Sequence, residues 1–237
     1  MTGRKVGVSI TIVLVLSLTA CTPPPSTSSQ ATSNQGINVT TTTQSVSSRL
    51  MSEAQQFAYR VRNVNCDATG SSFATGQGII TNRHVASGSQ TLQLSTWSGD
   101  DFTASLQSIS EPPGPDLAII DGGSSQKPAV LTTGNVAPGT QVWAAGYPEG
   151  DELALTPGIV IDYISGSTYG VSGQIMELTN PIKPGNSGSP LLDSDGNVVG
   201  VVFALNTVTG NGLAIPIATL SQYLNSPGSD TFGGCDG

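Results

Sequence analysis

The sequence has few charged residues and few aromatic residues. Of its 237 residues, 10% are charged and 5% are aromatic, while 29 are glycine. Such a composition is unusual for a cytoplasmic helical protein and is typical of exported β-rich proteins. Only eight residues are Lys or Arg, and the formal net charge is −8. Because no basic run is present to follow a phosphate backbone, the composition argues against nucleic acid as a partner.

Histidine and cysteine are also scarce, which limits the metal chemistry that the chain can support. There is one histidine, His84, and there are three cysteines, Cys21, Cys66 and Cys235. No CxxC pair or Cys/His cluster occurs, so we expect no metal site and no cofactor. In an exported protein, Cys66 and Cys235 can form a disulfide that ties the C-terminal tail to the start of the folded domain. The alternative is a pair of free thiols.

The N-terminus carries a short positive segment, MTGRK, and then an apolar run at 6–18. This run is shorter than the about 20 residues that a membrane span requires, and the pattern is typical of a secretory signal peptide at 1–20. The run ends in LTAC, which resembles the bacterial lipobox and implies that Cys21 is lipidated. The alternative is an ordinary signal peptide with a chance cysteine. We therefore expect export and lipid anchoring to the outer face of the cytoplasmic membrane, or secretion if the lipobox interpretation is wrong.

Residues 21–48 are rich in Ser, Thr and Pro and have almost no large apolar side chains. Such a segment buries too little surface to fold, so we predict a flexible tether, followed by a folded domain at 49–237. Ser52 and Gln55 have the spacing of a capping box, which predicts a short helix that ends near Phe57.

Short apolar or alternating runs, separated by turn residues, dominate the chain from 58 to 216. Their length and spacing predict an all-β fold, either a barrel or a sandwich. A Gly/Ser/Pro-rich stretch near 122–128 divides the runs into two halves, about 58–121 and about 129–215. SDGN at 194–197 is typical of a hairpin turn, and 216–224 has a helical pattern. The predicted strands are 58–64, 71–75, 77–82, 91–97, 102–110, 116–121, 129–134, 140–147, 152–164, 174–179, 189–193, 197–205 and 213–216.

Three residues that are distant in sequence have side chains suited to acyl transfer. Ser187 lies in the turn PGNSGSP, and a serine needs a base and a site for negative charge before it can act as a nucleophile. His84 follows an apolar run, and Asp116 leads into one, where a buried acid needs a donor such as an imidazole. Each residue also has a simpler interpretation, as a turn serine, a structural histidine and a strand-start aspartate. Their order along the chain is that of the chymotrypsin arrangement.

The segments around these residues resemble those of bacterial chymotrypsin-fold (trypsin-like) serine proteases of the HtrA-like and actinobacterial type. TNRHVA, DLAII and GNSGSP resemble the histidine, aspartate and serine motifs of that family. GSSFATGQGIITNRHV and GNGLAIPIATL resemble its opening and closing segments. The resemblance covers about residues 58–225. It implies two perpendicular six-stranded β-barrels with the site in the cleft between them, here with a short helix at each end of the domain.

The resemblance also implies a role for each site residue. Ser187 is the nucleophile, His84 the general base and Asp116 the residue that orients the imidazole. The backbone N–H groups of Gly185 and Ser187 form the oxyanion hole. The pocket for the substrate side chain has no acidic residue, and the only histidine is already assigned, so we expect a small apolar preference rather than a basic or glutamyl one. The alternative is an acidic residue attracted by Lys183. The pocket residues are Ile182, Pro184, Val202, Phe203 and Ala204.

Asn186 departs from the aspartate that animal digestive proteases carry before the nucleophile. We therefore expect no activation by a freed N-terminus that pairs with this position. The sequence after residue 225 has no PDZ-like pattern, so we expect a monomer.

The sequence thus predicts a lipid-anchored extracellular serine endopeptidase that acts on peptide or protein substrates and meets the membrane only through its lipid. One alternative is a protease-fold binding module that has lost turnover. Another is an adhesin-like all-β domain in which His84, Asp116 and Ser187 lie far apart in space.

Overall fold

The structure, a computed structural model, describes residues 39–122, 127–229 and 233–235, with side chains described from residue 45 onward. The predicted signal peptide, the lipidation site Cys21 and most of the predicted tether lie outside the described residues. No helix of the described part of the chain is long and apolar enough to cross a membrane.

The first half of the folded region is a closed barrel of six antiparallel strands. Neighbouring strands follow the order β1-β2-β3-β6-β5-β4, so that β4 pairs with β1 and closes the sheet. Closure removes the unpaired edges that an open sheet would expose. The strands are β1 (Ala58–Asn63), β2 (Ala68–Thr75), β3 (Gly78–Thr81), β4 (Thr91–Ser95), β5 (Asp101–Ile109) and β6 (Ala118–Ile120).

The second half is also a closed barrel of six antiparallel strands. Its order is β10-β11-β12-β9-β8-β7, with β10 paired to β7. The all-β prediction and the two six-stranded barrels are therefore confirmed. The strands are β7 (Gln141–Gly146), β8 (Ala154–Ser165), β9 (Gln174–Leu178), β10 (Pro190–Leu192), β11 (Val198–Leu205) and β12 (Gly212–Pro216).

One predicted strand, 129–134, is not a barrel strand. Within it, Leu131 forms an isolated parallel bridge with Val198. Val198 is the first residue of β11, and β12 occupies that edge of β11 from Gly200 onward, so this segment cannot extend along it. It forms instead part of the connection between the two barrels.

The interiors of both barrels are filled by aliphatic and aromatic side chains. Phe73, Ile80 and Leu94 are fully buried in the first barrel, and Met176 and Leu178 are fully buried in the second. Each such side chain contributes roughly 1.5–3 kcal/mol relative to an exposed one. The barrels are thus packed scaffolds, and the catalytic candidates lie on the loops that leave them.

Among the described residues, three α-helices accompany the barrels: α1 (Val39–Ala54), α2 (Arg83–Ala86) and α3 (Ile217–Asn225). The structure confirms α3, but α1 differs from the prediction. Its first ten residues, 39–48, belong to the segment predicted to be a tether, and Ser52 lies in its last turn rather than at its start. Arg49 donates to the carbonyl oxygens of Ser194 and Asp195, and Leu50 is fully buried. These long-range contacts with the β10–β11 hairpin stabilise a helix that its Ser/Thr-rich sequence does not favour.

A disulfide joins Cys66 to Cys235, with a Cα–Cα distance of 5.5 Å. The predicted pairing is therefore confirmed. The bridge lies against the segment that follows α2, since a Cβ at Gly88 would lie 2.5 Å from Cys66 Sγ. It ties the C-terminal tail to the first barrel next to the helix that carries His84.

Candidate active site

His84 is held by the short helix α2, which follows β3 directly. Asn82, the extended residue just before α2, is fully buried. Its side chain donates to the carbonyl oxygen of Asp116 at 2.8 Å. At the other end of α2, Asn63 Nδ2 donates to the carbonyl oxygens of Val85 at 3.0 Å and of Ser87 at 2.8 Å. Side chains from two other segments therefore fix a helix that is too short to be stable alone.

Asp116 lies just before β6, and its carboxylate faces His84. Its Oδ2 is 2.5 Å from His84 Nδ1, and its Oδ1 accepts the backbone N–H of His84 at 3.0 Å. The side chain of Asp116 is 6% exposed, against 36% for His84. Because an ionised carboxylate only accepts hydrogen bonds, Nδ1 must carry the proton. The neutral ring then has an unprotonated Nε2, as a general base requires.

Arg83 lies beside this carboxylate, and the buried Asn82 binds the backbone carbonyl of the same residue. Arg83 Nε lies 4.0 Å from Asp116 Oδ1, and the Arg83 side chain is largely buried. A buried charge needs such hydrogen bonds and a nearby opposite charge to offset its lost hydration. The sequence did not reveal either role, although both residues belong to the TNRHVA motif.

Ser187 lies in the turn between Lys183 and β10, beside the first barrel. Its carbonyl oxygen accepts the N–H of Ser71 at 2.7 Å. A Cβ at Gly70 would lie 2.7 Å from Val85 Cγ2 and 2.9 Å from the Ser187 carbonyl oxygen, so α2 and the serine turn approach the same point of β2. The adhesin-like alternative, with the three residues far apart, is therefore wrong.

The hydroxyl of Ser187 does not bind His84 in this structure. Its Oγ donates to the carbonyl oxygen of Phe203 at 3.4 Å, which is a long and weak hydrogen bond. Among the described residues, no hydrogen bond links Ser187 to His84. The structure thus brings the imidazole and the acid into contact, whereas the serine hydroxyl is directed at the Phe203 carbonyl.

Two backbone N–H groups in this turn have no partner among the described residues. They belong to Gly185 and Ser187, whereas the N–H groups of Asn186, Gly188 and Ser189 all donate within the turn or to β11. These are the two donors that the sequence assigned to an oxyanion hole. Gly185 has φ +90°, and a Cβ there would collide with the carbonyl oxygen of Tyr147. Glycine is therefore required at this position.

Contacts from both barrels set the orientation of these two peptides. Glu149 N–H donates to the Pro184 carbonyl oxygen at 2.6 Å, which fixes the peptide that carries the Gly185 N–H. Glu149 has φ +60°, an uncommon conformation for a residue other than glycine. Ser71 Oγ donates to the Gly185 carbonyl oxygen at 2.7 Å and accepts the Tyr147 N–H at 2.9 Å. Sequence reasoning missed Ser71 and Glu149, although Ser71 belongs to the quoted GSSF segment.

Asn186 is 1% exposed, and neither its Nδ2 nor its Oδ1 has a partner among the described residues. An aspartate at this position would be a buried charge without a counter-ion. The neutral amide is consistent with the expectation that no N-terminal amine pairs here.

Burial raises the pKa of Tyr147 to about 12, and its hydroxyl donates to the Ala58 carbonyl oxygen at 3.3 Å.

The five residues predicted to line the substrate pocket are apolar and differ in exposure. Ile182, Val202 and Phe203 are buried, Ala204 is half-buried and Pro184 is exposed. A Cβ at Gly212 would lie 2.6 Å from Ile182 Cγ1, so the Ile182 side chain fills space above β12. Among the described residues, no group of three or more His, Cys, Asp or Glu side chains could hold a metal ion.

Comparison with known proteins places this arrangement in a family. Residues 68–201, more than half of the chain, match the trypsin-like peptidase domain. The chain belongs to the trypsin-like peptidase family. The serine protease Do-like HtrA of Bacillus subtilis is 33% identical over 166 residues, which are 63% of this chain and 36% of the relative. Serine protease HTRA3 of Rattus norvegicus is 32% identical over 173 residues, 67% of this chain and 37% of the relative. The trypsin-like peptidase described here therefore spans little more than a third of the length of these relatives.

Solved structures agree with this assignment. The active form of the Rv3671c protease from M. tuberculosis has a TM-score of 0.68 at 22% identity, covering 79% of this chain and 89% of that one. Deg5 has a TM-score of 0.63 at 28% identity, covering 79% and 97%. The first of these similarities shows the fold alone. Together with the HtrA relatives, they confirm the chymotrypsin-type fold and the HtrA-like resemblance of this trypsin-like peptidase.

Proposed function

We propose that the protein is a serine endopeptidase that hydrolyses peptide bonds through Ser187, His84 and Asp116. The 2.5 Å contact between His84 Nδ1 and Asp116 Oδ2 carries the proposal, because it sets the tautomer in which Nε2 can accept a proton. The two uncommitted N–H groups beside Ser187 support it. The family and the HtrA relatives also support it, and they lend no support to a binding module without turnover.

The proposed reaction follows from these groups. Ser187 Oγ attacks the peptide carbonyl carbon while His84 Nε2 takes the hydroxyl proton, and Asp116 stabilises the resulting imidazolium. The carbonyl oxygen becomes an oxyanion that accepts the N–H groups of Gly185 and Ser187. The intermediate collapses to an acyl-serine as His84 gives its proton to the leaving amine. A water molecule, deprotonated by His84, then releases the acid and restores the serine.

The reaction requires the Ser187 side chain to turn from the Phe203 carbonyl toward His84. This movement is a rotation about χ1 from one staggered rotamer to another. It breaks only the weak hydrogen bond of 3.4 Å between Ser187 Oγ and the Phe203 carbonyl oxygen. Catalytic hydrogen bonds are often long or misdirected before substrate binds. The orientation seen here is therefore compatible with the proposed nucleophile.

Labelling with a fluorophosphonate probe tests this function directly. The folded protein should react covalently at Ser187, and a peptide library should show cleavage that Ser187→Ala abolishes. Ser172→Ala is the matched control, because Ser172 is an exposed serine in the turn before β9, and it should leave labelling and cleavage unchanged. Cleavage that persists in Ser187→Ala would remove Ser187 from the mechanism.

We also propose that the protein is exported, lipidated at Cys21 and held at the outer face of the cytoplasmic membrane as a monomer. The LTAC segment after an apolar run supports this proposal. Cys21→Ala should release the protein into the medium and abolish incorporation of labelled palmitate. Retention of Cys21→Ala on the cell would contradict lipid anchoring.

A further inference from the structure

A groove of about 740 Å³ lies beside the turn that supports the Gly185 peptide. One wall is the segment 147–153, which includes the Glu149 N–H that binds Pro184. The opposite wall is the hairpin between β4 and β5, with Trp97 at its tip. We call this space the leaving-side groove and define it by Trp97, Glu149, Asp151, Glu152 and Lys183.

The position of the groove relative to Ser187 indicates which part of a substrate reaches it. Phe203, whose carbonyl accepts the Ser187 hydroxyl, is one of the residues predicted for the acyl pocket, and neither it nor Val202 lines the groove. Gly185 lies against the Tyr147 carbonyl oxygen, and Tyr147 does line the groove. The groove therefore adjoins the turn that carries the nucleophile and shares no residue with Val202 or Phe203 of the predicted acyl pocket. This separation is the basis for assigning to it the residues that follow the scissile bond, which depart with the amine.

The charges in the groove are unevenly committed. Lys183 Nζ pairs with Glu149 Oε1 at 3.2 Å. Arg60, also in the lining, donates to the Gly150 carbonyl oxygen at 3.0 Å and to Ser95 Oγ at 3.3 Å. The exposed carboxylates of Asp151 and Glu152 have no hydrogen bond or ion pair with any described residue. Arg60 has no ion pair with a described residue, so two positive and three negative side chains give the lining a formal charge of −1, with the negative excess at Asp151 and Glu152.

Trp97 provides a second and independent contact for a cation. It is 53% exposed and lines the groove, so a ligand in the groove can reach its ring. The face of an indole ring attracts a guanidinium or ammonium group more strongly than other aromatic rings do. An acidic substrate residue would gain nothing from this face.

We propose that the leaving-side groove is a specificity subsite for a lysine or arginine within the first three residues after the scissile bond. Trp97 contacts the cationic side chain, and Asp151 and Glu152 provide the opposite charge. The inference rests on the proposed endopeptidase function, since it assigns the leaving segment of that reaction to this groove. It concerns selectivity alone, because none of these three side chains touches the reacting atoms.

A matched peptide series tests the subsite. The peptides share one acyl half and carry Arg, Gln or Glu at each of the first three leaving-side positions in turn. We expect kcat/KM to be about threefold to tenfold higher for Arg than for Glu at one position in low salt. The double variant Asp151→Asn/Glu152→Gln should reduce this ratio to less than about twofold. A ratio near one in the parent protein, or an unchanged ratio in the double variant, would overturn the proposal.

Two controls isolate the groove from the chemistry. Glu111→Gln/Asp162→Asn makes the same change in net charge at exposed sites that do not line the groove, and it should keep the Arg preference. A p-nitroanilide substrate has no residue after the scissile bond, so the Asp151→Asn/Glu152→Gln variant should change its hydrolysis no more than the charge control does. If no substrate is cleaved at all, the endopeptidase function fails and the subsite must be judged by binding.

Tryptophan fluorescence of Ser187→Ala provides that binding test. The chain has two tryptophans, and Trp143 is only 3% exposed, so a peptide in the groove changes chiefly the emission of Trp97. Amidated peptides with the leaving-side sequence and an Arg should shift this emission, whereas the Glu peptides should not. Trp97→Phe should abolish the response. Equal responses to Arg and Glu peptides, or no response to either, would overturn the subsite whatever the result for turnover.

Discussion

The two halves of the candidate active site differ in how completely their polar groups are paired. In the first barrel, both oxygens of Asp116 already have partners on His84. In the second barrel, the Ser187 hydroxyl has only a long bond to Phe203, and the Gly185 and Ser187 N–H groups have none among the described residues. The His84–Asp116 contact is thus present without substrate, and the unpaired groups are those that the proposed mechanism directs at the reacting carbonyl.

The halves also differ in what holds them. The His84–Asp116 pair is fixed within its own barrel by Asn63 and Asn82. The serine turn depends on partners outside itself, because Ser71 comes from the first barrel and Glu149 from the loop after β7. Substitutions can therefore separate loss of the base from loss of the charge-stabilising turn.

Asp116→Asn should produce the largest effect in this comparison. An asparagine can donate to Nδ1 and favour the tautomer in which Nε2 carries the proton, so kcat should fall by about 10³–10⁴. Circular dichroism should show a folded protein. If kcat falls less than about tenfold in a folded variant, the pair in the first barrel is not the catalytic base assembly.

Gly185→Val should produce the next largest effect, through the second half. Gly185 has φ +90° and no space for a Cβ, so a valine side chain forces the backbone at this position to move. The Gly185 N–H is then lost as an oxyanion donor, and kcat should fall about 10²–10³-fold. Gly170→Val is the matched control, because Gly170 has φ +72° and a Cβ added there would have no atom within 4 Å. That control shares the backbone strain and should keep its turnover once folded.

Ser71→Ala should have a smaller effect, which measures how far the first barrel supports the turn in the second. Loss of the hydroxyl leaves the Gly185 carbonyl and the Tyr147 N–H unpaired, at about 1–3 kcal/mol. We expect kcat to fall about fivefold to a hundredfold with little change in KM. Ser72→Ala is the control, since the buried Ser72 hydroxyl has no partner among the described residues. Equal effects of the two variants would contradict a positioning role for Ser71.

The prediction with the least expected effect on turnover concerns stability at high pH. The pKa of Tyr147 is raised to about 12 from an ordinary value of 10.0, so the folded state keeps a proton that the unfolded state releases. Its contribution is fully present below pH 10 and is lost as the pH rises toward about 12, by up to about 3 kcal/mol. Tyr147→Phe should flatten urea-derived stability over this interval. Burial also raises the pKa of Tyr59, in the first barrel, to about 12. Tyr59→Phe should therefore flatten the pH dependence of stability over the same interval.

Much of the fold could be predicted because strands that are half-buried alternate apolar and polar residues with a period of two. The helix α1 could not, because its stability comes from Arg49 and Leu50 against a hairpin about 145 residues further along the chain. The strand predicted at 129–134 failed for a related reason, since the pairing of β12 with β11 leaves it only Val198 to bridge. Local pattern does not record which edges are already occupied.

The site shows the same division. The motifs around His84, Asp116 and Ser187 identified the candidates, and the structure shows the first two in contact. The roles of Ser71 and Glu149 depend on backbone carbonyls of a turn more than thirty residues away. Such contacts involve no distinctive side-chain pattern at the carbonyl, so the sequence carries no signal for them.

The tautomer of the only histidine tests the central claim most directly. Because His84 is the single histidine in the chain, ¹⁵N NMR of histidine-labelled protein reports one imidazole without assignment. The account predicts that the neutral ring carries its proton on Nδ1 and has an unprotonated Nε2, and that Asp116→Asn removes this preference. A neutral ring protonated on Nε2 in the parent protein would contradict the account.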